Sequence, residues 1–206
     1  MNIKEFGELK ISCRYPSCRF SDSKYEVSRE LYCKKEFTET VGDCIQFKYK
    51  EIIKFIKDKK DNGKYPKAIC IGYNPAKASK DIDETNKRLI KCLWETYDEY
   101  LLVNLFPQVS SDKTTCIPDL KENVEFCNVI IDILKNDDRD VILFWGRTVS
   151  ISEELFNAIN NRIDNELPLK MTTYGGRFIH PGAIGKVELN DVTKGNLKKN
   201  TTYKIE

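Results

Sequence analysis

Four side chains with chemical potential stand out in this sequence of 206 residues. Asn74 carries an amide that could orient a water molecule, and two carboxylates, Asp81 and Asp83, follow within ten residues. Paired carboxylates can act as acid and base, or bind a metal ion or sugar hydroxyls. The sole histidine, His180, stands in a glycine-rich segment and could donate a hydrogen bond or exchange a proton near neutral pH. We expect these residues to be candidates for one site.

The elements around Asn74 are predicted as strand, loop and helix. The run 68–72 is short, apolar and β-branched, which is typical of a strand buried on both faces. Pro75 ends the strand and holds Asn74 on a stiff turn. Asp81, Asp83 or Thr85 could each cap the helix that follows, so helix capping is the alternative to a catalytic role for the two carboxylates.

Strands and helices alternate over the rest of the chain. Further buried strands are predicted at 100–106, 140–146 and 170–174, with helices opening near 117–119 and near Ser150 or Ser152. This alternation predicts an α/β fold, a three-layer sandwich around a central, mostly parallel, four-stranded sheet.

Parallel strands end at one edge of the sheet, and ligands bind there. We therefore expect Asn74, Asn104, Arg147 and the segment around His180 to converge, with Asp81 and Asp83, on a single pocket. Basic side chains near the same edge could bind phosphate, although a solvated charged face explains them equally well; the ones we select are Lys77, Arg88 and Arg147.

Eight cysteines are present, and four of them fall in the first 44 residues. Cys13, Cys18, Cys33 and Cys44 could hold a structural zinc ion or an iron–sulfur cluster, which would supply folding free energy to a segment with little apolar periodicity. The alternative is that they are packed or exposed thiols. The other four cysteines lie in apolar surroundings and are predicted to belong mostly to the core.

Composition sets the remaining expectations. The formal net charge is +2, so no global basic field indicates nucleic-acid binding, and the amino terminus lacks the apolar core of a signal peptide. We expect a soluble, cytoplasmic protein without a membrane partner. It divides into an N-terminal cysteine-containing segment with an amphipathic helix over 47–59 (1–63), an α/β domain (64–190) and a loosely ordered, polar, basic tail (191–206).

Several short motifs resemble those of an uncharacterised bacterial and phage family, domain-of-unknown-function family 1643. The similarity runs over about residues 64–184. It is carried by Asn-Pro-Ala-Lys-Ala-x5-Asp-x-Thr at 74–85, Asn-Leu-Phe at 104–106, Asn123, Trp-Gly at 145–146 and His-Pro at 180–181.

More distantly, three motifs are similar to signatures of the uracil-DNA glycosylase superfamily: Gly-Tyr-Asn-Pro at 72–75, Leu-Phe-Trp-Gly at 143–146 and His-Pro at 180–181. The resemblance implies a uracil-DNA-glycosylase-like sandwich in which Asn74 holds a hydrolytic water and His180 stabilises charge on a departing base. We add Asp83 as a third catalytic candidate. The ligand-binding candidates are Tyr73, Pro75, Lys77, Asp81, Thr85, Arg88, Asn104, Arg147 and Pro181.

Three classes of function follow. The first is a protein that binds a nucleobase, nucleotide or nucleic acid and hydrolyses an N-glycosidic bond without a catalytic cofactor. The second is a non-catalytic module that sequesters or senses a nucleotide-like ligand, with the cysteines as a structural metal clip. The third, a nonspecific nucleic-acid binder, requires the lysines of residues 48–67 and the tail to form one stripe.

Overall fold

The computed structural model describes residues 9–15, 26–33, 48–56, 67–75, 83–94, 96–109, 121–146, 151–182 and 187–195. Their strands are β1 (Leu9–Tyr15), β2 (Glu26–Cys33), β3 (Lys48–Ile56), β4 (Lys67–Gly72), β5 (Glu99–Asn104), β6 (Asp140–Leu143), β7 (Leu169–Tyr174), β8 (Arg177–Phe178) and β9 (Glu188–Asp191). The helices are α1 (Glu84–Leu93), α2 (Lys121–Asn136) and α3 (Glu153–Asp164).

A single mixed sheet forms the centre of the described structure. Its order is β1-β2-β3-β5-β4-β6-β7-β8, with β9 paired to β7. The four neighbours β5, β4, β6 and β7 run parallel, and they are the four strands that the sequence predicts. The α/β class is confirmed, but the described sheet is wider than predicted because antiparallel strands extend it on both sides.

Alternation along the parallel strands divides the core into two layers. In β4, Ala68 and Cys70 pack with the apolar face of α1, whereas Ile69 and Ile71 pack with α2 and α3. All four side chains are buried, as expected for a parallel strand covered on both faces. The carboxyl edge of the sheet is therefore held between helices on either side.

The helix predicted over residues 47–59 is wrong, because the described part of this stretch, Lys48–Ile56, forms the strand β3. It pairs antiparallel with β5, with Lys50 opposite Val103 and Lys54 opposite Glu99. Ile53 is fully buried and Lys54 is exposed, which is the two-residue alternation of a strand. The stretch contains two patterns. Its β-branched and aromatic residues favour a strand, and this preference outweighs the lysine-rich pattern that resembles the polar face of a helix.

The predicted tail boundary also falls within a strand. β9 runs antiparallel to β7 with Thr172 opposite Leu189, and it continues to Asp191. Val192 is buried in the core, and its backbone N–H donates to the Leu169 carbonyl at 2.9 Å. The start of the predicted loosely ordered tail is therefore part of the sheet.

A tight hairpin returns the chain after β7. The two turn residues, Gly175 and Gly176, have φ values of 55° and 72°, as a type I′ turn requires. β6 and β9 both pair with β7 at Lys170 and Met171, so they lie on opposite sides of β7. Thr173 pairs with β9 and also with β8, which places β8 on the β6 side, just beyond the point where β6 ends.

A buried arginine joins the packed ends of α2, α3 and β7. Arg162 is 1% exposed. Its guanidinium donates hydrogen bonds to the carbonyls of Leu134 (3.0 Å), Asp137 (2.8 Å), Arg139 (2.6 Å) and Pro168 (3.0 Å). Two of these acceptors lie at the carboxyl end of α2, where carbonyls have no partner within the helix. Arg162 therefore supplies the donors that this end of the helix lacks.

No helix in the part of the chain described here has the length and apolar character needed to cross a membrane.

Replacing Arg162 should destabilise the fold strongly. Arg162→Ala leaves four carbonyls without their donor and opens a cavity, so we expect the free energy of unfolding to fall by about 3 kcal/mol or more in urea denaturation. Arg139→Ala is the matched control, because its side chain makes a partly exposed ion pair with Asp137 at 2.6 Å. The control should lose about 1 kcal/mol or less. Equal losses in the two variants would contradict the structural role assigned to Arg162.

Candidate functional site

The carboxyl ends of the central parallel strands meet, as the sequence predicts. Gly72, the last residue of β4, lies opposite Asn104, the last residue of β5. The Gly72 carbonyl accepts from Leu105 N–H at 2.9 Å, and the Phe144 N–H after β6 donates to the Ile71 carbonyl at 2.9 Å. These bonds continue the ladders past the strand ends and bring the three loops into contact.

Gly72 is the point of closest approach in this cluster. A Cβ built on Gly72 would lie 2.5 Å from Asn104 Oδ1 and 2.5 Å from Phe144 Cζ. Both distances are far inside van der Waals contact, so only glycine fits at this position. The Asn104 amide and the Phe144 ring therefore lie directly over the end of β4.

The Asn104 side chain is buried without full hydrogen bonding. The residue is 3% exposed, and no described atom accepts a hydrogen bond from its Nδ2. An unpaired buried amide donor costs about 1–3 kcal/mol, and such a cost is tolerated where a ligand can supply the partner. Asn104 is therefore a candidate for contact with a ligand, and its binding role stays a prediction.

His180 reaches the same cluster from the other side of β6. The β7–β8 hairpin ends two residues before His180, and it is anchored by an edge-to-face contact of Phe178 with Trp145 at 5.9 Å. A Cβ on Gly146, whose φ is 87°, would lie 3.1 Å from the His180 backbone nitrogen. The imidazole lies 6.0 Å from the Phe144 ring, at an angle of 39°. Phe144 therefore connects Asn104 with His180.

A backbone bond fixes the orientation of the imidazole. The Gly182 N–H donates to His180 Nδ1 at 3.0 Å. An accepting Nδ1 carries no proton, so the neutral ring is protonated on Nε2, which becomes its donor. A Cβ on Gly182 would lie 2.9 Å from Nδ1 and 3.1 Å from Thr85 Oγ1, so glycine is also required here for close contact with α1.

Arg88 of α1 contacts the loop that carries His180. Its Nη1 donates to the carbonyls of Pro181 and Gly182, at 3.3 Å each, and its Nε donates to Glu84 Oε1 at 3.3 Å. Pro181 is buried, and Arg88 is partly buried. Two predicted ligand-binding residues, Arg88 and Pro181, are thus brought together with His180 by backbone contacts.

Asp83 is the N-cap of α1, and the capping interpretation of this carboxylate is confirmed. Its Oδ1 accepts from the Asn86 N–H at 2.8 Å, and its Oδ2 accepts from Asn86 Nδ2 at 3.1 Å. Asn86 is 3% exposed and in turn accepts from the Tyr100 hydroxyl at 3.0 Å. This chain of bonds ties the first turn of α1 to β5; the catalytic role of Asp83 stays a prediction.

The residues after β4 form a partly buried loop. Tyr73 packs edge to face on Phe106 at 5.0 Å, and its carbonyl accepts from the Phe106 N–H. Asn74 is partly buried, and its Nδ2 donates to the Pro75 carbonyl at 3.4 Å. Pro75 is buried. These contacts place Asn74 two residues past the end of β4 at the predicted edge.

Some predicted site residues lie outside the described parts of the chain: Lys77, Asp81 and Arg147. Their place in the site stays a prediction. Among the described ones, the structure links Asn104 to His180 through Phe144, and His180 to Thr85, Arg88 and Pro181 through the Gly182 loop.

The site residues selected from the sequence left out three that shape the site: Gly72, Phe144 and Gly182. Gly72 and Phe144 stand in the glycosylase-like motifs, and Gly182 follows His-Pro at 180–181, so these motifs could have suggested all three. Their role in contact, however, depends on pairing between distant strands, which local patterns do not specify.

Two of the four N-terminal cysteines lie in the sheet. Cys13 pairs with Arg29 and Cys33 pairs with Leu9, so they stand four ladder positions apart, or about 13 Å at roughly 3.4 Å per residue. Sulfurs that share one zinc ion lie only about 4 Å apart. This register does not bring Cys13 and Cys33 together, while Cys18 and Cys44 fall outside the described residues.

Nowhere among the described residues do three or more His, Cys, Asp or Glu side chains form a group that could hold a metal ion. The four-cysteine metal site stays a prediction.

Three of the other cysteines are thiols of the folded interior. Cys70 is fully buried, and Cys92 and Cys127 are partly buried, whereas Cys116 lies outside the described residues. Burial, followed by the charge of Glu188, raises the pKa of Cys92 to about 11, and burial also raises the pKa of Cys70 and Cys127. These thiols are poor nucleophiles, in agreement with the predicted core role.

The lysine stripe required by the third functional class meets an acidic residue. Lys54 and Lys67 both pair with Glu99, at 3.5 Å and 2.8 Å. The carboxylate partly neutralises the two lysines of this stretch whose side chains are described. A continuous stripe stays a prediction.

Adding a methyl group at Gly72 should damage the site and the fold together. In Gly72→Ala the new Cβ must displace the Asn104 amide or the Phe144 ring, and we expect a loss of about 1–3 kcal/mol in the free energy of unfolding. Gly195→Ala is the control, because its Cβ would meet nothing nearer than 4.0 Å. That variant should stay within about 0.5 kcal/mol of the parent. Equal stability of the two variants would refute the close approach at Gly72.

Comparison with known proteins supplies a family. Searches of curated proteins and of solved structures found no significant match. The family model described as "Protein of unknown function (DUF1643)" matches residues 55–181, more than half of the chain. The matched region runs from the end of β3 through Gly72, Asn104 and Phe144 to Pro181. The chain therefore belongs to the DUF1643 family of proteins of unknown function.

Proposed function

We propose that this protein binds a nucleobase, within a nucleotide or a nucleic acid, at the carboxyl edge of its sheet and hydrolyses the N-glycosidic bond of that base. The observation that carries the proposal is the pairing of two donors around one aromatic ring. Asn104 contributes a buried Nδ2 with no described acceptor, and His180 contributes Nε2–H, with Phe144 between them.

A nucleobase suits such a site because it combines an aromatic face with acceptors along its edge. An asparagine amide can donate to one base atom and accept from its neighbour, which is how asparagine recognises base edges elsewhere. The apolar wall formed by Phe144 favours a flat ring over a sugar or a simple anion. The motif resemblance to uracil-DNA glycosylases supports the same ligand class.

The chemistry follows from the two ends of the bond. As the bond between the base nitrogen and the sugar carbon breaks, its electron pair remains on the base and negative charge develops on a base carbonyl. His180 Nε2–H stabilises this charge while the imidazole stays neutral. Asn74 orients a water molecule, whose oxygen forms the new bond to the sugar carbon; the proton that the water loses passes to solvent, and the departing base anion takes up a proton from solvent, so the products are the sugar hydroxyl and the neutral base.

The rival class is a module that binds the same ligand without turnover. Two departures from the glycosylase motifs favour it. Ala76 stands after Asn-Pro where glycosylases usually have Tyr or Gly, and Gly182 stands after His-Pro where they have Ser. The Asp83 carboxylate also bonds to Asn86 through both oxygens, which makes it a poor general base. Both classes use the same site, so they differ only in whether base is released.

Base release can separate the two classes. We expect the purified protein to release a base from at least one substrate in a panel of uracil-, hypoxanthine- and mismatch-containing DNA, nucleosides and nucleotides. His180→Ala and Asn74→Ala should each slow release by about a hundredfold to a thousandfold, because each removes a group that acts on the transition state. Binding of the substrate should change much less.

Asn157→Ala is the control for Asn74→Ala, since Asn157 is an exposed amide on α3. It should release base at the parent rate. Release by the parent protein that persists in both site variants would contradict the roles assigned to Asn74 and His180. No release from any member of the panel, combined with tight ligand binding that both variants weaken, would replace the hydrolase with the binding module.

A further inference from the structure

Arg88 makes an interaction that ordinary helix-surface pairing does not explain. Its pair with Glu84 is one helical turn apart and would form in any exposed helix. The Nη1 bonds to Pro181 and Gly182, however, cross 93 and 94 residues of sequence. They connect α1 to the loop that follows β8.

The two accepting carbonyls lie next to the bond that orients His180. Gly182 accepts from Arg88 through its carbonyl and donates through its N–H to His180 Nδ1 at 3.0 Å. Gly182 itself is exposed, so burial does not hold this N–H in place. A donor that holds the Pro181 and Gly182 carbonyls also restricts where the Gly182 N–H can point.

The helix that presents Arg88 is itself rigidly placed. Asn86, two residues earlier in the chain, is buried and bridges the Asp83 cap to the Tyr100 hydroxyl of β5. Leu89 and Ile90 are fully buried in the core beside it. The packing of α1 on the sheet thus fixes the position of Arg88. Through its bonds to the two carbonyls, Arg88 in turn fixes the position of the loop.

We infer that Arg88 is a positioning residue: by holding the Pro181 and Gly182 carbonyls it keeps the Gly182 N–H on His180 Nδ1, and so keeps the histidine proton on Nε2. This role rests on the proposed function for its catalytic meaning. It does not require Arg88 to touch the ligand, and it differs from the phosphate contact that the sequence suggests for this residue.

The single histidine makes the inference measurable without substrate. Long-range 1H–15N correlation spectra of 15N-labelled protein show which imidazole nitrogen carries the proton, and hydrogen exchange reports the Gly182 N–H bond. In the parent we expect Nε2 protonated and the Gly182 amide protected. In Arg88→Ala we expect Gly182 exchange to rise about tenfold or more, with the Nδ1-protonated tautomer becoming detectable.

Lys87→Ala is the matched control. It removes the same charge from the same helix, and Lys87 is an exposed residue whose Nζ lies 3.9 Å from Glu84 Oε2. Its Gly182 exchange and tautomer should equal those of the parent. Arg88→Lys keeps the charge but not the planar fork, and it should resemble Arg88→Ala. Backbone amide spectra away from the loop verify that each variant is folded.

Unchanged Gly182 protection and an unchanged tautomer in Arg88→Ala would overturn the inference, as would equal changes in Lys87→Ala. In an active protein, Arg88→Ala should lower the rate of base release more than the affinity for substrate. A protein that releases no base but shows the expected spectra would refute the hydrolase and leave the positioning role intact. A protein that releases base but shows unaltered spectra in Arg88→Ala would refute the positioning role and leave the hydrolase intact.

Discussion

The absence of a side chain at Gly72 is the constraint on which the site depends. Because β4 ends without a Cβ, the Asn104 amide and the Phe144 ring can both occupy the space above it. Parallel pairing of β4 with β5 and β6 delivers these two residues from distant parts of the sequence. All parallel strands end at one edge of the sheet. The missing Cβ of Gly72 lets the Asn104 amide and the Phe144 ring come close together at that edge.

The two ends of the parallel strands contrast in how their polar groups are satisfied. At the amino ends, the Tyr97 hydroxyl donates to Asp140 at 2.5 Å, and Lys170 donates to both, at 3.2 Å and 3.1 Å. Burial and the bond to Asp140 raise the pKa of Tyr97, so its hydroxyl keeps the proton that it donates to Asp140 even at alkaline pH. At the carboxyl ends, Asn104 Nδ2 has no described partner. The satisfied network stabilises the sheet, whereas the unsatisfied donor is what motivates the ligand site proposed at the other edge.

Apolar runs and capping residues, which are local patterns of the sequence, predicted the central strands and the starts of two helices. The apolar runs located the four parallel strands, and the caps of α1 and α3, Asp83 and Ser152, are each one of the alternatives that the sequence offered. Asn104 and His180 were placed at one edge because parallel strands all end there. These inferences need only the period of the apolar residues and the direction of the strands.

What the sequence could not predict depends on contacts between distant segments. The stretch that forms β3 carries both a lysine pattern and a β-branched pattern, and its pairing with β5 decides between them. The position of β8 beside β6 depends on the two glycines of the hairpin. It also depends on Thr173, which pairs with β8 on one side and with β9 on the other. The tautomer of His180 depends on one backbone N–H, which no residue pattern reports.

The most direct test of the account is an NMR titration that follows the His180 imidazole and the Asn104 side-chain amide together. Free bases, nucleosides, nucleotides and short oligonucleotides would be added to 15N-labelled protein. The account predicts that at least one of these ligands shifts both signals with the same dissociation constant, and that Gly72→Ala weakens the response. Ligand-induced shifts that avoid both side chains, or no response to any member of the series, would contradict a nucleobase site at this edge of the sheet.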